Sequence, residues 1–200
     1  MDVILSTRNP SKAEQIQAIF ADLPIKILTL DQAGIKGEAL EDGQTLEENA
    51  LKKAIYAYVW ADSDIWTMAD DTGLFIDALN GEPGIRAARW AGENATTEEI
   101  TKYTLQRLEG HTNRSATFVT AVAVVTPNGD HTFFKAQVRG RILEQPRVKP
   151  QPKMPYSPIF VPEGSERVWA EMSVEEENNI SHRGKAFRQV RGFFEREVIK

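Results

Sequence analysis

Two strand-like runs, residues 115–126 (SATFVTAVAVVT) and 131–143 (HTFFKAQVRGRIL), are separated only by Pro127-Asn128-Gly129-Asp130. An Asn-Gly pair adopts the left-handed backbone of a tight turn whose twist matches the flanking strands. A long antiparallel hairpin is therefore expected in the second half of the chain. The first half reads differently. Val3-Ile4-Leu5 and residues 25–30 (IKILTL) are short apolar runs of the kind that form buried strands. Between them Ile16, Ile19, Phe20 and Leu23 recur at helical spacing, opened by Asn9-Pro10 and closed by Pro24. Strands and helices that alternate, followed by a hairpin, imply an α/β fold with a mixed central sheet.

Further along, residues 31–43 are acidic and carry Gly34, Gly37 and Gly43, which reads as a loop. Thr45 opens a second helix with Leu46, Ala50, Leu51, Ala54, Ile55 and Tyr58 on its apolar face. Residues 65–69 (IWTMA) form a strand ending at Asp70-Asp71-Thr72-Gly73, and residues 74–79 a further short one. Gly81, Pro83 and Gly84 mark a turn, and Thr97 caps a third helix stopped by Gly110. Six of the ten prolines fall within 144–163, so a long stiff loop is expected there. Ser173 or Val174 starts a short acidic helix, and a last helix runs from about Ser181 to the end. No repeat or linker divides the chain, so residues 1–200 read as one domain.

The absence of cysteine rules out disulfides, thiolate catalysis and cysteine-ligated zinc. A net charge of −5 argues against a general nucleic-acid binder but leaves room for a local basic pocket. The N-terminus lacks the basic start and apolar stretch of a signal peptide, and no apolar run approaches the roughly 20 residues that span a bilayer. A cytoplasmic protein without a membrane partner is expected.

Four clusters have the residue types for anion or metal chemistry. Thr7-x-Asn9-x-x-Lys12 lies where the first strand meets the first helix, whose N-terminus offers N–H groups and a positive dipole end to a phosphate. Asn9 as a plain helix cap accounts for the same residues. Glu38, Glu41, Asp42, Glu47 and Glu48, then Asp70-Asp71, form an acidic set. Mg²⁺ takes one or two protein carboxylates with substrate phosphates and waters. Two adjacent carboxylates at a strand end repel each other and invite a cation or a shared proton. Ser181-His182-Arg183 can place a planar guanidinium fork on the first turn of the last helix, or simply expose a helix start. Arg86 and Arg89, beyond the Gly-Pro turn, face anions or pack at a subunit contact.

Taken in order, Thr7-Arg8-Asn9-Pro10-Ser11-Lys12, Glu48-Asn49-Ala50-Leu51-Lys52-Lys53-Ala54, Ala69-Asp70-Asp71-Thr72-Gly73-Leu74, Pro83–Arg89 and Ile180-Ser181-His182-Arg183-Gly184-Lys185-Ala186 resemble the motifs of the Ham1/inosine triphosphate pyrophosphatase family. The resemblance covers nearly the whole chain. It implies an elongated mixed sheet flanked by helices, two lobes around a deep cleft, a homodimer, and Mg²⁺-dependent hydrolysis of inosine and xanthosine triphosphates to monophosphate and pyrophosphate. By position, Thr7, Asn9 and Lys12 would hold the triphosphate, with Lys53 adding charge and Thr72 adjoining. Glu41 and Asp71 would bind the metal, Asp71 also accepting the water proton with Lys12 as catalytic partner. His182 and Arg183 would contact the base side.

One stretch departs from that pattern. Where the resemblance implies Gly-Phe-Gly-Tyr-Asp-Pro, this chain has Lys153-Met154-Pro155-Tyr156-Ser157-Pro158. Met154 stands for the base-stacking aromatic and Ser157 for a carboxylate, while Tyr156 is retained. Glycine opens positive φ, whereas proline fixes φ near about −65° and removes an N–H. Glu177 stands where the resemblance implies a lysine. Met154, Tyr156 and Ser157 are thus expected to line a rebuilt base pocket, with Trp169 or Phe160 as substitute stacking partners. Three readings stay open: the ordinary pyrophosphatase, one for a different nucleotide, or a nucleotide-binding protein with little turnover.

Overall fold

The computed structural model of the chain describes residues 1–61 and 65–197. Strand β1 (Asp2–Leu5) leads to helix α1 (Pro10–Phe20), whose N-cap Asn9 accepts hydrogen bonds from the Ser11 and Lys12 amides. Strand β2 (Lys26–Thr29) follows, then α2 (Leu46–Trp60) capped by Thr45. Next come β3 (Trp66–Ile76), the short β4 (Pro83–Gly84) and α3 (Thr97–Arg107). The hairpin is β5 (Ser115–Val125) and β6 (His131–Ile142). Strand β7 (Phe160–Pro162), α4 (Val174–Ile180) and α5 (His182–Glu197) complete the chain. The last helix was expected to reach the C-terminus; residues 198–200 lie outside the described residues.

The strands form one sheet in the order β2-β1-β3-β5-β6-β7, with β4 on β3. Pairing is parallel among β2, β1 and β3 and antiparallel elsewhere, so the mixed sheet expected from the sequence is present. Strand alternation then places the helices. Met68, Val122 and Val124 pack with Phe20, Phe187 and Phe194 of α1 and α5. Their neighbours Ala69, Ala123 and Val125 pack with Ala50 and Ala54 of α2. A separate core at the far ends of β3 and β5 gathers Leu74, Ile76, Ile100, Phe118, Phe160 and Trp169. The long strands therefore carry two lobes, with the cleft between them.

Several local expectations change. Residues 66–76 form one strand rather than two, because β3 pairs with β5 continuously from Thr67↔Val125 to Ile76↔Ala116. Asp70 and Asp71 consequently sit mid-strand instead of at a strand end. Gly73 is needed there: a Cβ would lie 3.0 Å from the Gly84 carbonyl oxygen of β4. In α2, Ile55 is exposed, and Asn49 and Ala57 are buried in its place. Alanines at the contact let the helix lie close to the sheet. The cap of α3 is Thr96, whose capping box with Glu99 is a reciprocal pair of hydrogen bonds. Within the proline-rich stretch, β7 pairs with Gly140–Ile142 of β6.

Helices α4 and α5 meet at Gly184, where a Cβ would fall 1.9 Å from the Asn178 carbonyl oxygen. Backbone cannot move aside as a flexible side chain can. Gly184→Ala is therefore expected to lower the stability read by urea denaturation by roughly 1–3 kcal/mol or more. An unchanged midpoint would show that α4 and α5 separate freely.

Candidate active site

Asp70 and Asp71 are neighbours in sequence but face opposite sides of β3. Asp70 turns toward α1 and α5, where it accepts from Lys12 Nζ at 2.9 Å and Arg183 Nε at 3.5 Å. It is 3% exposed. Burial alone would raise its pKa, but Lys12 and then Arg183 outweigh that and hold the carboxyl well below the usual range. Asp71 turns toward α2, accepting from Lys53 Nζ at 2.7 Å and Asn49 Nδ2 at 3.3 Å. Here burial wins over the attraction of Lys53, and the pKa lies above the ordinary carboxylate value. The two carboxylates do not share a cation, as adjacency suggested; each has its own lysine.

Glu41 reaches this group from the loop before α2, 3.4 Å from Lys53 Nζ. Several hydrogen bonds hold that loop. Arg89 Nη2 donates to the Glu41 carbonyl at 2.8 Å, Gly43 N–H donates to Asn49 Oδ1 at 2.9 Å, and Arg8 donates to the carbonyls of Ile35 and Gly37. Arg89 thus faces the backbone carrying Glu41. Burial opposes the charge of Lys53, but Asp71 and Glu41 together hold its pKa above the usual lysine value. Burial lowers that of Lys12 despite Asp70.

Thr7, Asn9, Lys12, Glu41, Lys53 and Asp70 line one cavity of about 360 Å³. The expectation of free amides at the start of α1 needs correction. Pro10 has no N–H, and Asn9 takes those of Ser11 and Lys12. The Ala13 amide donates to the Asn9 carbonyl. Anion binding there rests on side chains and the helix dipole.

A second cavity, of about 160 Å³, adjoins the first through Lys12, Glu41 and Lys53 and gathers Thr72, Met154, Tyr156, Ser157, His182 and Arg183. His182 and Arg183 are buried, not an exposed helix start. Arg183 Nη1 donates to Gln15 Oε1 at 2.7 Å. The His182 ring stacks on Phe118, with centroids 4.7 Å apart. Tyr156 donates its hydroxyl to the Ala87 carbonyl at 2.8 Å, tying the loop to the segment after β4, and Ser157 donates to the Met154 carbonyl within the loop.

A polar chain links the two walls. Thr72 Oγ1 donates to Asp70, Thr72 and Thr120 hydroxyls lie 2.8 Å apart, and Thr120 lies 2.6 Å from His182 Nδ1. Each hydroxyl has one proton to give. Thr72 gives its proton to the ionised Asp70, so Thr120 donates to Thr72 and His182 Nδ1–H to Thr120. Burial pushes the His182 pKa well below its ordinary value, keeping the ring neutral. The tautomer follows from this accounting: Nδ1 protonated, Nε2 an acceptor.

Sequence reasoning missed Asn49, Gln15, Thr120, Phe118 and Gln151 as parts of the site. Asn49 lay inside a quoted motif and is fully buried. The others carry no local signal, since a threonine in a strand or a glutamine in a helix has many uses.

The Ham1 family model matches residues 3–193. A dITP/XTP pyrophosphatase of Thermoanaerobacter pseudethanolicus is 40% identical over 195 residues, 96% of each chain. Another, of Desulfotalea psychrophila, is 38% identical over 189 residues, 94% of this chain and 83% of its own. A HAM1 protein from Coxiella burnetii superimposes with a TM-score of 0.84 at 33% identity, over 98% of each chain. The chain belongs to the Ham1 family.

Removing the Asp70 charge would leave Lys12 and Arg183 buried without their carboxylate. Asp70→Asn is expected to cost about 3–5 kcal/mol at neutral pH. The folded-state pKa is depressed, so the contribution is complete above the unfolded carboxyl value of about 3.9 and fades as pH falls below it. Melting curves of wild type and variant should converge in acid. A gap that is constant with pH would refute the ionic origin.

Proposed function

We propose that this chain hydrolyses non-standard purine nucleoside triphosphates to the monophosphate and pyrophosphate, with Mg²⁺ as cofactor. The observation that carries the reading is the Asp71 carboxylate. It is buried, raised in pKa, and fixed between Lys53 and Asn49 in a cleft also lined by Lys12 and Glu41. The names of the Thermoanaerobacter and Desulfotalea relatives agree with it.

Glu41 and Asp71 fit a hard cation. Both offer only oxygen, and each stands within 3.4 Å of the same lysine nitrogen. Among the described residues no cluster of three or more metal-ligating side chains occurs. Two carboxylates completed by substrate phosphates and water suit Mg²⁺. When bound, the ion neutralises phosphate charge as a Lewis acid.

The chain's own residues account for the rest. Lys12, Lys53 and the hydroxyl and amide of Thr7 and Asn9 orient the triphosphate and stabilise charge that builds on the leaving pyrophosphate. Asp71 takes a proton from water as its oxygen bonds the α-phosphorus and the bond from that phosphorus to the bridging oxygen breaks. Its raised pKa makes it a stronger base than an exposed aspartate. His182 and Arg183 lie on the base side.

The same reading takes the protein as a cytoplasmic homodimer with no nucleic-acid or membrane partner. Exposed Val59 and Trp60 at the end of α2 support a protein interface, and the net charge of −5 speaks against nucleic acid. No helix among the described residues is long and apolar enough to cross a membrane.

The test is pyrophosphate release with Mg²⁺ from a panel of standard and non-standard triphosphates, ribo and deoxy. Highest kcat/KM on a non-standard purine, reduced at least about 100-fold by Asp71→Asn, is expected. Equal rates in wild type and variant would remove Asp71 from the chemistry. With Mg²⁺ limiting, so that Asp71 is free of metal, the acid limb of the wild-type profile should fall above the ordinary aspartate pKa of 3.8, since activity needs the ionised form of a group whose pKa burial raises. A limb at or below that value would contradict the assignment.

A further inference from the structure

The turn before Met154 carries a cation where the pattern this chain resembles has glycine. The Met154 amide donates to the Gln151 carbonyl at 3.0 Å, closing a turn with Pro152 and Lys153 at its centre. Lys153 has φ of 57°. Positive φ at the second central residue, after proline, is the type II pattern that glycine fills without a Cβ penalty. A lysine there keeps a backbone cost that the turn itself does not require. Such outliers gather at ligand-binding sites.

The turn is docked on the phosphate motif. Ser11 Oγ donates to the Pro152 carbonyl at 3.1 Å, and Asn9 Nδ2 to the Lys153 carbonyl at 3.4 Å. Lys153 Nζ in turn donates to the Arg8 carbonyl at 3.4 Å. Lys153 lines both cavities, as Lys12 and Lys53 do. Charge pairing sets it apart. Lys12 and Arg183 face Asp70, Lys53 faces Asp71 and Glu41, and Arg8 pairs with Asp31. Among the described residues, Lys153 is the one lysine or arginine of the two cavities without a carboxylate partner. Its ammonium holds only a long bond to a neutral carbonyl. A phosphate oxygen offers a shorter, charge-assisted bond in its place.

We propose that Lys153 is a further substrate-binding residue, whose ammonium exchanges the Arg8 carbonyl for a phosphate oxygen so that the loop clamps the triphosphate. The inference rests on the proposed pyrophosphatase reading. Because the contact is to phosphate, it serves dITP and XTP alike. A contact made equally in the bound substrate and the transition state acts on KM more than on kcat. Lys153 is exposed, so the attraction is also weakened by salt.

The test compares wild type, Lys153→Gly and Lys153→Arg. Glycine suits the left-handed turn, so Lys153→Gly should melt no lower than wild type, which separates loss of charge from loss of fold. Its kcat/KM for dITP and for XTP with Mg²⁺ should fall at least about tenfold, mainly through KM. Lys153→Arg should recover most of that loss, and added KCl should weaken wild type more than Lys153→Gly. Calorimetry reads the contact without turnover, using α,β-imido-dITP and inorganic triphosphate, which has no base or sugar. Lys153→Gly should weaken both probes by a similar factor. Absent turnover in wild type with Lys153-dependent binding of both probes would reject the activity and uphold the phosphate contact. Equal affinities in wild type and Lys153→Gly, a loss confined to α,β-imido-dITP, or a loss that arginine does not relieve would overturn the proposal. Failure of wild type to bind either probe would overturn it together with the activity.

Discussion

The cleft is organised around a single buried carboxylate. Asp70 binds Lys12 of α1 and Arg183 of α5 and accepts from Thr72 beside it on β3. Those groups lie 58 and 113 residues away along the chain for the two cations. A buried anion is tolerable only with paired cations and satisfied lone pairs. The same requirement draws two helices onto the middle of one strand. Through Thr72 and Thr120 the constraint reaches His182 and sets which ring nitrogen carries its proton.

Strand geometry separates the two neighbouring aspartates into different jobs. Successive side chains leave a strand on opposite faces. Asp70 meets the face carrying two cations and is held ionised as a structural anchor. Asp71 meets α2, where alanines permit close approach and bring Asn49 and Lys53 to it. Its environment favours the charged form less, which suits a proton acceptor. One dipeptide thus supplies a fixed countercharge on one face of the strand and, on the other, the carboxylate proposed as the base.

The loop that replaces a glycine-rich stretch solves its geometry locally. Lys153 takes φ of 57°, the left-handed region that a glycine enters without a Cβ penalty. Around it, Ser11 donates to the Pro152 carbonyl at 3.1 Å and Thr101 to that of Pro155 at 2.6 Å. Prolines supply acceptors but no amides, so the loop is held from outside by hydroxyl donors. Of the two aromatics offered beside Met154, Trp169 lines the smaller cavity and Phe160 does not. Trp169 stacks on Phe160 at 5.6 Å within the core, and it is Trp169, with Phe118, that reaches the cavity wall.

Much of the fold was legible locally. The Asn-Gly turn, the Asn9 and Thr45 caps and the apolar periodicities each report on neighbours within a few residues, and those elements stand where they were read. The ordered motifs identified the family, because five weak patterns in sequence are specific together. Strand limits were less legible: Asp70-Asp71-Thr72-Gly73 reads as the end of one strand before a second, and only pairing with β5 makes residues 66–76 a single strand. The burial of His182 and Arg183, the division of labour between Asp70 and Asp71, and the meeting of Gln151, Trp169 and Glu177 were decided by tertiary structure. Local sequence encodes which face of an element is apolar. Which distant polar groups meet, and which stay unsatisfied, depends on how those faces pack.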